Sequence, residues 1–409
     1  MLSSKILVLL VFLSLLVLFS LLHFSVDFEF LTLQSNVFYR QRHVHRFKEP
    51  YPPMLIGAYA EPARISVSVA ALKPIGYTVY CRYFERGGKE LRPPAKSLIY
   101  PLFVVFCEPR DGAHRIAITD GDDGDVLEHF QMTIFRWNES NTRFLTHCTA
   151  PIFGNEPKWL HLVEMIEHYK LEGVSKFYVY IREISPYDMQ LLQFYSGKLG
   201  EVEIIEIPSI YIDAVSQQLL AVADCHLRNR LSANWTIFSD IDERMIMTEE
   251  SETISEFLRD SLGELYGAVQ FAQRWIFKHS PLPATFSNYQ QIMDELPTRK
   301  WTLSTQPGLN CSDGKHCWGK MIVNNRKVVQ MLVHDVGEYE PGFEPWILDP
   351  SVGYIRHYRD VQMGNWVEKN RGYLETLRPY ENTTYSEHLK SRLLSNVLRV
   401  LHSVYGVQQ

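Results

Sequence analysis

The stretch that decides the fold is residues 143–181, which read RFLTHCTAPIFGNEPKWLHLVEMIEHYKLEGVSKFYVYI. Arg143–Thr149 and Lys176–Ile181 are short runs rich in aromatic and apolar residues, bounded by turn residues, as strands are. Between them, the apolar residues of 159–170 recur at the 3.6-residue spacing of a helix. Gly173 can end that helix in a left-handed turn. The stretch therefore predicts a strand, a helix and a second strand.

The same alternation continues downstream. Ser185-Pro186 opens a second helix, and Glu201–Ile207 is the third predicted strand. Asp213–Leu231 is a long helix, and Trp235–Ser239 is the fourth strand. Spacings of roughly 25 to 35 residues are typical of right-handed βαβ units. We therefore expect an α/β fold with a mostly parallel sheet flanked by helices.

The region before this alternation, residues 61–142, is rich in short β-like runs. The predicted strands are Ile65–Ala70, Tyr77–Phe84, Leu98–Phe106 and Gln131–Arg136, and the breaks are Gly87-Gly88, Pro93-Pro94 and Asp120–Asp125. The last break, DGDDGD, lacks the spacing and the terminal Glu of a calcium-binding loop, so we interpret it as a solvated turn. Residues 27–60, with three prolines and no sustained periodicity, are interpreted as a stem.

The N-terminus carries a long apolar run. Residues Ile6–Val26 contain no formal charge, and a helix of 21 residues is about 31 Å long, enough to cross a bilayer core. The run exceeds the apolar core of a cleaved signal peptide, which favours a signal-anchor. Residues 1–5 form the predicted cytoplasmic tail. The basic residues after the span oppose this orientation, but they begin 14 residues beyond it, so we expect a type II topology.

Cysteines and glycosylation motifs agree with a luminal domain. The chain has six cysteines, an even number that an oxidising compartment can pair, and Cys311 and Cys317 would close a short local loop. Four N-x-S/T sequons are present, at Asn138, Asn234, Asn310 and Asn382. We therefore expect a single-pass type II protein of the Golgi or another secretory-pathway membrane.

Two acidic residues follow the fourth predicted strand, in Ser239-Asp240-Ile241-Asp242-Glu243. Ligands of an open parallel sheet bind beyond the carboxyl ends of its strands. Carboxylates at i and i+2 on an extended segment project to the same side and can share a hard cation that also binds a diphosphate. A D-x-D sequence is also common in solvated turns. It occurs as well in one class of phosphatases. In these enzymes the motif comes after the first strand, and a Thr or Val stands two residues after its second Asp.

Four segments in order resemble glycosyltransferase family 92. They are CTAPIFGNEPKWLHLVEMIEHYKLEGVSKFYVYI, CHLRNRLSANWTIFSDIDERMI, VHDVG and GYIRHYRD, within residues 143 to about 377. The resemblance implies a GT-A-like fold in which Asp240 and Asp242 bind a divalent metal, Mn²⁺ by preference, at the donor diphosphate. It also implies a late histidine ligand, His357 or else His334, and Arg359 as a phosphate contact. The loop Pro151–Lys158 would approach the base or ribose of the donor.

The resemblance implies transfer of a hexose, galactose from UDP-galactose, onto a glycan or glycoprotein acceptor with inversion. The carboxylate that would deprotonate the acceptor is not identified, and the residues considered are Glu243, Asp313, Glu340 and Glu344. A non-catalytic protein that binds nucleotide sugars or glycans on the same fold is the alternative. A net charge of −6 argues against nucleic acid as a partner. Residues 378–409 carry an amphipathic helix, Tyr385–Leu401, expected to pack on the catalytic domain.

Overall fold

The computed structural model describes residues 53–406 apart from residues 73, 137–141, 155, 208–212, 250–251, 309, 312–316 and 362–365, with the backbone alone at residues 129, 310, 311, 317, 318 and 366. These residues belong to one compact unit, Tyr51–Gln409. The predicted tail, the predicted span Ile6–Val26 and residues 27–52 of the predicted stem lie outside them. In the described part of the chain, no helix is both long and apolar enough to cross a membrane.

The described strands before residue 143 form two four-stranded sheets. Their bounds are β1 (Met54–Ala60), β2 (Ile65–Ala70), β3 (Thr78–Phe84), β4 (Glu90–Leu98), β5 (Val104–Cys107), β6 (Arg115–Thr119), β7 (Met132–Thr133) and β8 (Phe135–Arg136). One sheet has the order β5-β2-β1-β8, and the other has the order β4-β3-β6-β7. The predicted β-rich character of this region is thus confirmed.

Three predictions in this region are wrong. The stem was expected to extend to residue 60, but Met54–Ala60 is strand β1, whose Leu55, Ala58 and Tyr59 are buried. The break expected at Pro93-Pro94 lies inside β4, and the strand expected at Leu98–Phe106 is divided between β4 and β5. The prolines are tolerated because β4 is an edge strand and its pairing with β3 shifts register beside them.

The predicted β/α alternation forms one half of a mixed sheet of eleven described strands. The elements are β9 (Arg143–Thr149), α1 (Trp159–Leu171), β10 (Lys176–Ile181), α2 (Pro186–Gln193), β11 (Val202–Glu206), α3 (Ala214–Asn229) and β12 (Ala233–Ser239). The four strands are parallel in the order β11-β10-β9-β12. Each lies within two residues of its predicted bounds, and α2 continues into a π-helical segment, Phe194–Lys198.

Eleven further described strands follow β12. They are β13 (Glu243–Met247), β14 (Tyr266–Lys278), β15 (Leu303–Ser304), β16 (Asn310–Cys311), β17 (Cys317–Trp318), β18 (Lys320–Asn324), β19 (Val328–Met331), β20 (Val336–Tyr339), β21 (Glu344–Ile347), β22 (Gly353–Asp360) and β23 (Glu381–Asn382). Seven of them complete the sheet with mixed pairing, whereas β16 pairs with β17 and β19 pairs with β20 in two separate two-stranded sheets. Strand β18 pairs antiparallel with β12, and β22 pairs antiparallel with β13 and parallel with β14. These pairings bring β18 and β22 beside the end of β12.

The remaining helices are α4 (Ile254–Asp260), α5 (Tyr289–Glu295), α6 (Pro297–Lys300), α7 (Trp366–Lys369), α8 (Arg371–Thr376) and α9 (Glu387–Tyr405). The C-terminal helix was expected at Tyr385–Leu401 and begins two residues later. It buries its apolar face in the same core as α1, through Leu389, Leu393, Val397, Val400 and Leu401. The expectation that it packs back on the α/β region is confirmed.

Two disulfide bonds are present among the described residues. Cys81–Cys107 joins β3 to β5 and so links the two N-terminal sheets, whereas Cys148–Cys225 joins β9 to α3. The backbone of Cys311 pairs with that of Cys317 in the β16–β17 ladder. Their side chains lie outside the described part, so the proposed bond between them stays a prediction.

Gly57 of β1 lies against a buried polar cluster. A Cβ atom there would lie 2.1 Å from Tyr59 Oη and 2.6 Å from Asp224 Oδ1. We expect Gly57→Ala to lower the free energy of unfolding by about 1–3 kcal/mol, because two hydrogen-bonded groups would have to move. The matched control is Gly87→Ala, whose Cβ would meet nothing within 4 Å. Denaturant unfolding of both variants checks this, and equal losses would contradict it.

Candidate active site

The D-x-D sequence forms the tight turn between β12 and β13. The side chain of Asp240 is 30% exposed and that of Asp242 is 29% exposed. The turn is closed by Glu243, whose Oε2 accepts a hydrogen bond from the Asp240 backbone N–H at 2.8 Å. The Asp242 carbonyl accepts one from the Tyr358 N–H at 2.9 Å. The turn therefore sits at the carboxyl end of β12, where parallel sheets bind ligands.

His357 lies beside the second aspartate. It is paired with Glu243 in the β13–β22 register, and its Nε2 is 3.5 Å from Asp242 Oδ2. Burial lowers the pKa of His357, but Asp242 and Glu243 raise it by more, so the net shift is upward. Burial raises the pKa of Asp242, but His357, with smaller contributions from His161 and Arg359, lowers it by more, so this carboxylate is ionised.

The two histidines considered from the sequence occupy different places. His357 lines the cavity in front of the D-x-D turn. His334 is half-buried, and its Nδ1 lies 3.2 Å from the Gly319 carbonyl oxygen. Burial lowers the pKa of His334 to about 4, with Lys320 contributing in the same direction. The structure thus brings His357, and not His334, against Asp242.

A cavity of about 540 Å³ opens in front of the turn. It is lined by Pro151–Phe153 and Glu156–Lys158 of the loop after β9 and by the first turn of α3. Phe153 of the loop is 57% exposed, and Val215 of α3 is 55% exposed. The loop Pro151–Lys158 therefore faces the space next to the D-x-D turn, where the sequence placed it.

Basic side chains of two strands also line the cavity. Arg359 follows His357 on β22, and Lys278 ends β14, with its Nζ 3.4 Å from Asp360 Oδ2. The sequence identified Arg359 but not Lys278, Asp360 or His161, which also line this space. The residues missed come from separate elements; Asp360 and His161 lie within two of the segments that resemble the family, but no spacing singles them out.

His161, in the first turn of α1, is a buried imidazole at this cavity. It is 6% exposed, and its Nδ1 has no hydrogen-bond partner among the described residues. Burial lowers its pKa to about 3, with Arg244 contributing in the same direction. The ring is therefore neutral near pH 7 and can accept or donate a hydrogen bond without carrying charge.

Lys320, at the start of β18, lies behind the turn. Its side chain is 3% exposed, and its Nζ is 3.0 Å from Asp240 Oδ2 and 3.5 Å from Glu243 Oε2. Burial lowers the pKa of Lys320, but these carboxylates raise it by more, so the ammonium group is charged. The sequence pattern does not mark this residue, since an apolar strand flanked by one lysine is common.

Buried hydrogen bonds hold the turn against α1. Arg244 Nη1 donates to the carbonyl oxygens of Ile241 at 2.8 Å and Glu243 at 3.0 Å. Its Nη2 donates to His161 O and to Glu164 Oε2, each at 3.0 Å. Because Arg244 and Glu164 are both fully buried, this ion pair is shielded from solvent.

The described candidates for a catalytic base do not reach the cavity. Glu243 is fully buried within the turn, where burial raises its pKa. Glu340 pairs with Arg230, and Glu344 is an exposed residue of β21. Asp313 lies outside the described residues. Three of the four candidates are thus badly placed for an acceptor hydroxyl, because each lies in the turn's interior or away from the cavity lining.

The potential metal ligands at the turn suit a divalent cation, although they are fewer than the three that a metal cluster requires. Across the described residues, no group of three or more His, Cys, Asp or Glu side chains is placed to hold a metal. The Asp242 carboxylate and the His357 imidazole nevertheless face the same cavity at a separation of 3.5 Å. Carboxylate and imidazole together suit first-row metals such as Mn²⁺. The residues present therefore fit such an ion.

Two of the four glycosylation sequons have an asparagine side chain that the structure describes. Asn234 and Asn382 are exposed on β12 and β23. Asn138 and the side chain of Asn310 lie outside the described part. All four stay predictions.

A match to a known protein family assigns this chain to that family. The sequence profile of glycosyltransferase family 92 matches residues 143–393, which is more than half of the chain. The chain belongs to glycosyltransferase family 92. The matched part of this family 92 protein begins at β9 and ends within α9, so it includes the D-x-D turn and the cavity.

A relative with a known name is the β-1,4-galactosyltransferase galt-1 of Caenorhabditis elegans. It is 26% identical over 190 residues, which cover 44% of this chain and 44% of the relative. This family 92 protein therefore matches less than half the length of that relative.

Two solved structures align with this family 92 protein. The mannosyltransferase PcManGT from Pyrobaculum calidifontis, in complex with GDP-Man and Mn²⁺, is 8% identical, with a TM-score of 0.33 over 66% of this chain and 78% of that chain. A mycobacterial protein is 12% identical, with a TM-score of 0.25 over 66% and 78%. With TM-scores below 0.5, neither likeness supports an assignment.

Proposed function

We propose that this family 92 protein is a hexosyltransferase of GT-A type that transfers galactose from UDP-galactose to a glycan or glycoprotein acceptor. The observation that carries the proposal is the D-x-D turn, which lies at the carboxyl end of β12 within the family match and faces a cavity of about 540 Å³. The choice of galactose rests on the family and on the name of the relative.

The cavity lining includes basic and apolar side chains, and each kind suits one part of such a donor. Lys278 and Arg359 carry positive charge beside the turn, where they would bind the diphosphate and stabilise the departing nucleotide. Phe153 and Val215 are exposed apolar side chains of the cavity lining, which suits a nucleobase. Asp242 and His357 would hold a divalent metal, Mn²⁺ by preference, which when bound neutralises negative charge on a diphosphate leaving group.

We propose that transfer inverts the anomeric centre, so a protein carboxylate must accept the proton of the acceptor hydroxyl. Apart from the D-x-D pair, the carboxylates among the described residues that line the cavity are Glu156 and Asp360. Both belong in the search for the base, alongside Asp313.

We further propose that the protein is a single-pass type II protein of the Golgi or another secretory-pathway membrane, with residues 27–409 in the lumen. The two disulfide bonds support an oxidising compartment. The charge-free sequence Ile6–Val26 and the four sequons agree with this location.

Release of UDP by the purified full-length chain tests the function. A panel of UDP- and GDP-sugars would be supplied with a mixture of glycan acceptors, with Mn²⁺ and with EDTA. We expect Mn²⁺-dependent UDP release from UDP-galactose that increases with acceptor and falls by about 100-fold or more in Asp242→Asn, because an electrostatic interaction with the leaving group is lost. Binding of UDP-galactose without release from any donor would instead identify a binding protein.

A further inference from the structure

A second cavity, of about 480 Å³, lies in the N-terminal region, before the residues 143–393 that match the family. Its lining comes from both N-terminal sheets: from the ends of β1, β2 and β8, from the turn after β3 and from the β5–β6 connection. The charged and titratable residues of this lining are Glu61, Arg86, Arg110, Asp111, His114 and Arg136. None of them takes part in the proposed transfer reaction.

Within the described part of the chain, none of the three arginines of this lining pairs with a carboxylate. Arg86 is exposed and forms no hydrogen bond there. Arg136 Nη2 donates to the Ala113 carbonyl oxygen at 2.8 Å, and Arg110 Nη1 donates to the Leu91 carbonyl oxygen at 2.7 Å. A guanidinium group has five N–H donors, so most of them stay available to a ligand.

Arg110 is held in place before any ligand arrives. Its Cζ lies 4.5 Å from the centroid of the Tyr83 ring, and its Nη1 also donates to the Pro93 carbonyl oxygen. Because the side chain is already ordered, binding a ligand costs less conformational entropy. The carbonyl and ring partners fix the position of Arg110 without neutralising its charge.

The two carboxylates of the lining do not cancel this positive charge. Glu61 is already paired, since its Oε2 lies 3.2 Å from Arg64 Nε and 3.3 Å from Arg230 Nε. Asp111 is exposed and forms no ion pair with the described residues. The cavity lining is therefore positive, although the whole chain has a formal net charge of −6.

His114 adds a hydrogen-bonding group to the same lining. Its side chain is half-buried, and its Nδ1 is buried without a hydrogen-bond partner among the described residues. A buried polar atom that lacks a partner costs free energy. A polar group bound in the cavity can supply the missing hydrogen bond.

We infer that this cavity is a binding site for the carboxylate or sulfate group of an acidic saccharide. Guanidinium groups pair with oxyanions of this kind through two parallel hydrogen bonds. A concave site of a few hundred cubic ångströms admits one part of a slender molecule, whereas a flat membrane or protein face does not enter it. Saccharides are the molecules on which a glycosyltransferase family acts.

This second cavity is separate from the one in front of the D-x-D turn. The first turn of α3 lines the D-x-D cavity, whereas Arg230, directly after α3, pairs with Glu61 of the second cavity. Helix α3 has 16 residues and is therefore about 24 Å long. A ligand bound in one cavity leaves the other open, so UDP should not compete with the acidic saccharide.

Isothermal titration calorimetry of the full-length chain tests the inference. The probes are a sulfated heparin hexasaccharide, an unsulfated chondroitin hexasaccharide that carries carboxylates alone, neutral cellohexaose and inorganic sulfate. We expect one or both acidic saccharides to bind and cellohexaose not to bind. The two acidic probes distinguish a sulfate from a carboxylate as the recognised group.

Arg86→Gln and Arg136→Gln should each weaken binding of the acidic saccharide by about 5-fold or more, because each removes a charge-assisted hydrogen bond. Lys89→Gln is the matched control, since Lys89 is an exposed cation three residues from Arg86 that does not line the cavity. It should change the affinity by less than about 2-fold. Thermal unfolding of each variant confirms that it is folded.

Asp111→Asn gives a second reading in the opposite direction. Removing a carboxylate that repels the ligand should tighten binding by about 2-fold or more. Asp122→Asn, at an exposed residue of the turn after β6, is its control and should leave the affinity unchanged.

The inference is overturned if cellohexaose binds as tightly as the acidic saccharides, or if inorganic sulfate binds and neither acidic saccharide does. It is also overturned if no probe binds, or if the two arginine variants lose no more affinity than Lys89→Gln. An affinity of Asp111→Asn equal to or below that of the wild-type chain counts against it as well. None of these outcomes decides the proposed function, because UDP release is measured separately and at the other cavity.

Discussion

Replacing Arg244 by methionine is expected to lower the free energy of unfolding by about 3–5 kcal/mol, among the largest losses for a single substitution in this chain. The change leaves the Glu164 carboxylate buried without its cation, and it removes the donor that ties the Ile241 carbonyl to α1. Because the D-x-D turn loses its support, UDP release should fall as well. Denaturant unfolding and the UDP assay measure the two effects.

Two further variants sharpen this prediction. Arg244→Lys keeps the charge but has three donors on one nitrogen in place of the guanidinium, which reaches four acceptors from two nitrogens, so we expect an intermediate loss. Arg326→Met is the matched control, since Arg326 is exposed, and it should change stability by less than about 0.5 kcal/mol. A loss below about 1 kcal/mol for Arg244→Met would show that the buried ion pair does not support the turn.

A comparable loss is expected at Asp224, the centre of the contact between the N-terminal sheets and the α/β region. Its side chain is fully buried and accepts hydrogen bonds from Tyr59 Oη at 2.8 Å, from Tyr180 Oη at 2.6 Å and from Ser68 Oγ. It also pairs with Arg228 at 3.1 Å. Tyr59 and Ser68 belong to β1 and β2, whereas Tyr180 and Arg228 belong to β10 and α3.

Asp224→Ala should therefore destabilise the chain by about 3–5 kcal/mol, because it leaves several buried donors without an acceptor. Denaturant unfolding followed by intrinsic fluorescence measures the loss, and limited proteolysis should show the N-terminal sheets becoming accessible first. Asp260→Ala, at an exposed residue, is the matched control. If both variants lose the same small amount, the N-terminal sheets are held mainly by apolar contacts.

Local patterns in the sequence were sufficient to predict the β/α units. Strands β9 to β12 and helix α3 were predicted within about two residues, and helices α1 and α2 were predicted at their places in the order, because their hydrophobic periods and their glycine and proline boundaries lie within each element. Strand β1 was missed for the opposite reason. MLIGAYA follows two prolines and contains Gly57, and its place in the fold depends on the polar cluster around Asp224.

Some residues of the candidate active site could likewise be predicted from local patterns, and others could not. Asp240 and Asp242 could be predicted because a strand and the turn after it place them at the binding edge of a parallel sheet. Arg359 and His357 came from a resemblance to the family, since nothing in their spacing marks them. Lys278, His161 and Lys320 were missed because each looks like an ordinary surface or core residue in its own segment.

The sequence by itself determined the order of elements, the α/β class and the position of the acidic turn, since each depends on contacts between residues close along the chain. Only the tertiary structure decided which side chains surround that turn. His357 reaches Asp242 through the β13–β22 pair, and Lys320 reaches Asp240 through the β12–β18 pair. Those partners lie 115 and 80 residues away. Strand pairing over such separations depends on the whole sheet, which no local pattern encodes.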